Sequence, residues 1–134
     1  MRWAVLIAGL LGACGVAIGA HAAHGLQASL LDQGLTAADV AKRLSQCDVA
    51  VRYHLIHTVG LLVLGLTAGQ ALSKRRLAAI VFLLLGIALF SGGLYAMVYW
   101  GQMGHWAIVP TGGLCFMLGW LLTASLAWGE RCAA

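Results

Sequence analysis

The chain has 134 residues, 62% hydrophobic and only 9% charged, with a mean hydropathy of +0.93. An ordinary soluble domain carries about 25% charged residues, so there is too little polar surface here for a water-soluble fold. Disorder, which needs low hydrophobicity and high net charge, is excluded on the same figures. The net charge of +4 is no signal for nucleic acid, because the few basic residues stand where membrane topology would place them; one small integral membrane domain remains.

Four apolar runs, about 3–23, 49–72, 77–100 and 106–128, each approach the roughly 20 residues a helix needs to cross a bilayer. The alternation expected of barrel strands is absent. The reading is an all-α integral membrane protein, an antiparallel four-helix bundle of which the lipid bilayer is the first partner. In the first run, Arg2 followed by an apolar stretch and Ala20-His21-Ala22 has the outline of a signal peptide, and Leu11-Gly12-Ala13-Cys14 faintly that of a lipoprotein box. The expectation is that it is retained as the first spanning helix. Gly15 and Gly19 there, like Gly65 and Gly69 in the second run, are spaced for close helix approach. Packing inside the bundle is preferred over a dimer face.

Segment 25–48 is the one sizeable polar stretch. Thr36 with Asp39 three residues on forms a capping box and predicts a short amphipathic helix over 37–47. Val40 and Leu44 share a face of it, while Asp39, Lys42, Arg43 and Gln46 lie elsewhere. This interfacial helix runs almost directly into the second span. Ser73-Lys74-Arg75-Arg76 is the densest basic cluster and marks the cytoplasmic side; Arg2 and Arg131 fall with it, so both termini are expected inside. Lys42, Arg43 and Arg52, partly offset by Asp32, Asp39 and Asp48, lie on the other side. Trp3 and Trp128 suit the inner interface, Trp100 and Trp106 the outer one.

In the third and fourth runs, Ser91-Gly92-Gly93 and Pro110-Thr111-Gly112-Gly113 make thin, locally irregular backbone, which at membrane depth must be covered by protein. Two readings follow: a small pocket between these helices, or a close crossing with a proline kink, the latter favoured. Residues 101–104 form a tight turn. Cys14, Cys47, Cys115 and Cys132 include no C-x-x-C and suggest neither a disulfide framework nor a zinc ribbon.

The five histidines all fall at the outer end on this topology: His21 and His24 close the first helix, His54 and His57 open the second, and His105 precedes the fourth. Each pair is spaced i, i+3 and so shares a side of its helix. If the first two helices are antiparallel neighbours, His21, His24, His54 and His57 could face one another and hold copper, zinc or iron. Two of them across the bundle could ligate a haem. Met97, Met103 and Tyr95 lie near that level and would favour Cu(I). With Arg52 the same rings could hold a quinone or an anionic lipid headgroup. The plainer reading is a hydrogen-bonded polar cluster without a ligand. No carboxylate is placed to orient the rings, although backbone carbonyls can do so.

No Asp, Glu, Lys or Arg lies mid-membrane, and neither a Ser-His-Asp set nor a phosphate loop is present. The machinery for hydrolysis or phosphoryl transfer is not visible, and no enzymatic activity is expected.

Four stretches carry a family likeness. Gly19-Ala20-His21-Ala22-Ala23-His24-Gly25-Leu26 resembles the "GAFGAHGL" signature of a small bacterial inner-membrane family. Arg52-Tyr53-His54-Leu55-Ile56-His57 resembles its "YQxxHAL" segment. Leu89-Phe90-Ser91-Gly92-Gly93-Leu94-Tyr95 is similar to its "LFSGSLY", and Pro110-Thr111-Gly112-Gly113-Leu114 with Gly119-Trp120 to its "TPIGGL…GW". This is the family known as DUF423, related to a small eukaryotic transmembrane family. The resemblance covers nearly the whole chain. It implies a four-helix membrane protein and supplies no activity. It also sorts the histidines: His24 and His57 match motif positions, whereas His21 replaces an aromatic and His54 a glutamine. A site general to the family would use His24, Tyr53, His57, Ser91 and Tyr95; a four-histidine metal site would be peculiar to this chain.

The expected function is a non-enzymatic accessory or interaction subunit of a membrane complex, with a membrane-protein partner or a second copy of itself. The alternative is a ligand-binding membrane protein using the outer histidine cluster, with copper, haem or a quinone headgroup as candidates.

Overall fold

A computed structural model describes residues 2–67, 73–101 and 104–129. Residues 68–72 of the second expected run, Gly69 among them, lie outside the described residues, as do residues 102–103 of the expected turn at 101–104, Met103 among them, and Arg131 and Cys132. Every regular element described is helical. Helix α1 (Arg2–His24) is followed by the short α2 (Leu26–Asp32) and the 30-residue α3 (Ala37–Leu66). The third span is α4 (Lys74–Gly86), a π-helical segment (Ile87–Ser91) and α5 (Gly92–Trp100); α6 (Ile108–Gly129) ends the described chain. Four stretches are long and apolar enough to cross a membrane: Arg2–His24, Ala37–Leu66, Lys74–Trp100 and Ile108–Trp128.

The capping chemistry is that of the sequence. The Thr36 hydroxyl accepts from the Asp39 amide (3.2 Å) and donates to the Asp39 carboxylate (2.7 Å). From this start the chain does not pause. The expected helix over 37–47 and the second span are one rod, because no Gly or Pro interrupts the sequence until Gly60. At 1.5 Å per residue the rod is about 45 Å long, well beyond a hydrocarbon core of about 30 Å. Its first turns therefore project past the apolar zone. Helix α2 closes over them, burying Leu26 and Leu30 against Val40, Cys47 and Val98. Only Gly25 separates α2 from α1, and Gly34 (φ +76°) turns the chain back toward α3.

Neighbouring spans run in opposite directions. Gly65 meets Val5, Gly15 meets Leu55 and Gly19 meets Val51, so numbers rise on α1 as they fall on α3. Gly119 with Leu83, Gly86 with Phe116, and Gly93 with Val109 give the same relation between α6 and the third span. Gly15 and Gly19 thus work inside the molecule. The central pair is α3 and the third span; α1 packs chiefly on α3, and α6 chiefly on α4 and the π segment. In the most apolar 18-residue stretch of each span, 17% of the residues are buried in α1 and in α6, against 44% in α3 and 39% in the third span.

The π segment lies where α6 presses closest. A Cβ on Gly112 would overlap the backbone of Phe90, and one on Gly86 would overlap the Phe116 ring. The Gly92 amide reaches back five residues to the Ile87 carbonyl. Of the two readings of these motifs, the close crossing is what is seen. The proline kink is not: Pro110 is the third residue of α6, in the first turn, where an amide has no helical partner to lose.

Two arginines tie the central pair at opposite ends. Arg76, buried at the start of α4, donates to the Leu64 carbonyl (3.2 Å) and the Thr67 hydroxyl (2.9 Å) at the end of α3. Arg43, near the start of α3, donates to the Val98 carbonyl (3.1 Å) at the end of α5. Each cation meets the negative end of the other helix.

Candidate functional site

Two apolar clusters fill the molecule. One, toward the Arg76 end, contains Ala4, Ala8, Leu61, Leu64, Ile80, Leu83, Ile87 and Phe116; the other, toward the His24 end, is built on Leu26, Leu30, Val40, Cys47 and Val98. Between them lies a polar and aromatic layer. Helix α3 supplies Tyr53 and His57 on one face and His54 and Thr58 on the next, each pair one turn apart.

The Tyr53–His57 face looks toward the π segment and α6. The His57 Nδ1–H donates to the Tyr53 carbonyl (2.6 Å), since a carbonyl only accepts. In the neutral ring this selects the Nδ1–H tautomer, which leaves Nε2 as an acceptor. The imidazole stacks on Phe116 (centroids 3.4 Å) and stands 6.0 Å from Trp120. Tyr53 packs on Phe90 at 4.7 Å.

The His54–Thr58 face looks toward α1 and α5. Nδ1 of His54 is paired with the Tyr95 hydroxyl (3.2 Å), and Gly15 of α1 leaves room beside the ring. Ser91 is one turn from Tyr95, as Thr58 is from His54. Ser91 and Thr58 are both buried, and Ser91 Oγ and Thr58 Oγ1 have no hydrogen-bond partner among the described residues.

The four imidazoles do not come together. His54 and His57 are buried, whereas His21 and His24 are exposed at the end of α1. The α1–α3 register places His24 about 16 Å along the axis from His57, by the helical rise. His21 stacks on Tyr99 instead (5.9 Å). Among the described residues no three His, Cys, Asp or Glu side chains are grouped to hold a metal, and the helix register keeps the His21–His24 pair at a different level from His54 and His57. The reason is rotation and depth: i, i+3 spacing puts a pair on one side of its own helix but does not set its level against another pair. Of the family-motif set, Tyr53, His57, Ser91 and Tyr95 belong to the layer and His24 lies apart. His105 bonds only locally, accepting from the Ala107 amide at Nδ1 (3.2 Å).

Beside His57 the surface is indented. A groove of about 380 Å³ runs between α3 and α6, lined by Ile56, Val59, Gly60, Val63, Leu64, Trp120 and Thr123. It is almost wholly apolar and opens sideways, where Ile56, Val59 and Val63 are exposed. Gly60, one turn beyond His57, forms its floor against Trp120. Trp120, Gly60 and Phe116 were not singled out as site residues from sequence. One signal was present: Trp3, Trp100, Trp106 and Trp128 stand at the ends of apolar runs, but Trp120 stands in the middle of one.

The fold and this layer define a four-span, all-α membrane protein whose buried histidines, His54 and His57, lie between its two apolar clusters rather than at the end of the bundle. The chain belongs to the family described as "Protein of unknown function (DUF423)", whose model matches residues 18–113. It is 38% identical to a UPF0382 membrane protein of Haemophilus influenzae over 86% of this chain and 82% of that protein. A UPF0382 membrane protein of Staphylococcus haemolyticus is 33% identical over 91% of this chain and 92% of its own length. A UPF0382 inner membrane protein of Escherichia coli is 31% identical over 90% and 86%. No solved structure matches the chain.

Proposed function

We propose that this is a non-enzymatic binding protein of the bacterial inner membrane, which holds a lipid-soluble molecule with a hydroxyl-bearing head and an apolar tail. The observation that carries the reading is the groove between α3 and α6, whose exposed apolar lining suits the bilayer side and whose Gly60 lies about one helical turn along α3 from the buried His57. Its volume of about 380 Å³ falls in the range of small-molecule sites. An apolar tail suits Ile56, Val59, Val63 and Trp120. A head carrying a hydroxyl, such as the reduced form of a quinone, suits the accepting Nε2 of His57. The orientation that goes with this reading puts Ser73–Arg76 and both termini in the cytoplasm.

The test is to purify the protein in mild detergent, extract it with organic solvent and identify retained lipophilic molecules by mass spectrometry. Retention of one stoichiometric hydroxyl-headed compound, lost in a Gly60→Leu variant that fills the groove, is the expected result. A native protein that retains nothing above a control membrane protein defeats the reading.

A second reading, an accessory subunit of a membrane complex, rests on the outward faces of α1 and α6, of which so little is buried within this chain. Chemical cross-linking in native membranes tests it; a protein that cross-links to nothing, neither a partner nor its own copy, ends it.

A further inference from the structure

At the His24 end, away from the groove, the molecule carries a second recess. A polar cleft of about 230 Å³ lies between α3 and α5, lined by Asp39, Lys42, Arg43, Gln46, Met97 and Gly101. We infer that this cleft is a binding site for an anionic phosphate group.

Four observations converge on it. First, Arg43 spends one donor on the Val98 carbonyl, and a guanidinium has five. Gly101, in a left-handed conformation (φ +69°), brings backbone against the other arm of that guanidinium, and a Cβ there would crowd Nη2. The absent side chain keeps the outer edge of Arg43 open to the cleft. Second, Lys42 lies next to it, exposed and without an ionic partner among the described residues. Third, Asp39, the only carboxylate lining the cleft among the described residues, is held at the Thr36 cap by a hydrogen bond of 2.7 Å. Two cations against one engaged carboxylate leave the recess net positive. Fourth, Trp100 and Trp106, 76% and 72% exposed, stand at the same end of the bundle. Exposed tryptophans mark the headgroup level of a bilayer, where phosphate is abundant and a basic recess between spanning helices recognises it. The Gln46 amide, whose nitrogen touches only the Met97 sulfur at 4.0 Å, is a further donor facing the space.

The phosphate can come from an anionic phospholipid or from solution, and one experiment separates them. The protein is reconstituted with equal amounts of phosphatidylglycerol and phosphatidylcholine, re-extracted in neutral detergent, and its retained lipids are weighed by native mass spectrometry. The expected result is preferential retention of one phosphatidylglycerol, reduced about fivefold by Lys42→Gln and unchanged by Lys74→Gln at the opposite end. Retention that survives an excess of inorganic phosphate assigns the site to lipid. Displacement by inorganic phosphate assigns it to the free anion, and both results uphold the site. Equal retention of the two lipids with no binding of inorganic phosphate overturns it, as does an equal effect of the two lysine variants. Lys42 is exposed, so its replacement does not endanger the fold.

Discussion

Ser91 and Tyr95 sit one turn apart on the third span and both end in a hydroxyl, yet of the two only Tyr95 has a partner among the described residues. That difference is measurable. The Tyr95 hydroxyl meets His54 Nδ1 at 3.2 Å, and Tyr95→Phe leaves a buried imidazole nitrogen with nothing to bond. A loss of about 1 kcal/mol is expected in thermal unfolding in detergent. Ser91 Oγ is buried without a partner, so Ser91→Ala removes an unmet desolvation cost and is expected to be neutral or slightly stabilising. A marked loss in Ser91→Ala would show that the hydroxyl holds something in the membrane. The residue types of this layer were legible in the sequence, and four of the five motif residues do belong to it. Their pairing was not. Helices in lipid are apolar nearly all round, so hydrophobic pattern does not set rotation, and nothing else in the sequence distinguishes His54 facing α5 from His57 facing α6.

At the scale of elements, the third span shows what sequence reasoning reaches and where it stops. Paired glycines at 92–93 and 112–113 signalled close backbone approach, and Gly112 does lie against Phe90. The π-helical segment did not follow from them, because it belongs to the packing of two helices rather than to either sequence alone. The same packing makes the two neighbouring glycines unequal. A Cβ on Gly112 meets backbone, which cannot move aside, whereas one on Gly113 would rest at 3.8 Å from the Phe90 ring, an ordinary contact. Gly112→Ala is expected to cost about 1–3 kcal/mol, and Gly113→Ala to stay within about 0.5 kcal/mol; comparative unfolding of the two variants checks this. Similarly, the join of 37–47 to the second span is explained by what is missing there, a breaker, but a capping box announces a beginning and says nothing of length.

For the whole molecule, the number of spans and their order were written in the apolar runs. The antiparallel register and the peripheral place of α1 and α6 needed the contacts. With four crossings both ends of the chain fall on one side, and the proposed orientation, read from the basic link at 73–76, makes that side cytoplasmic. In a cysteine-free background, a cysteine at Ser73 is expected to react with a membrane-impermeant thiol reagent only after the cytoplasmic face is opened, and one at Ser45 from outside intact cells. Reaction of both from the same side would contradict the path of the chain.

The crossed arginines bear on how this protein tolerates its surroundings. Arg43 holds the finish of α5 and Arg76 the finish of α3, so sliding one rod past the other by a single turn strips both carbonyls at once. The height of the central pair is thereby clamped from top and bottom like a gauge block. In a thinner bilayer such a pair cannot shorten by slippage; it has to lean, or make the lipid around it stretch.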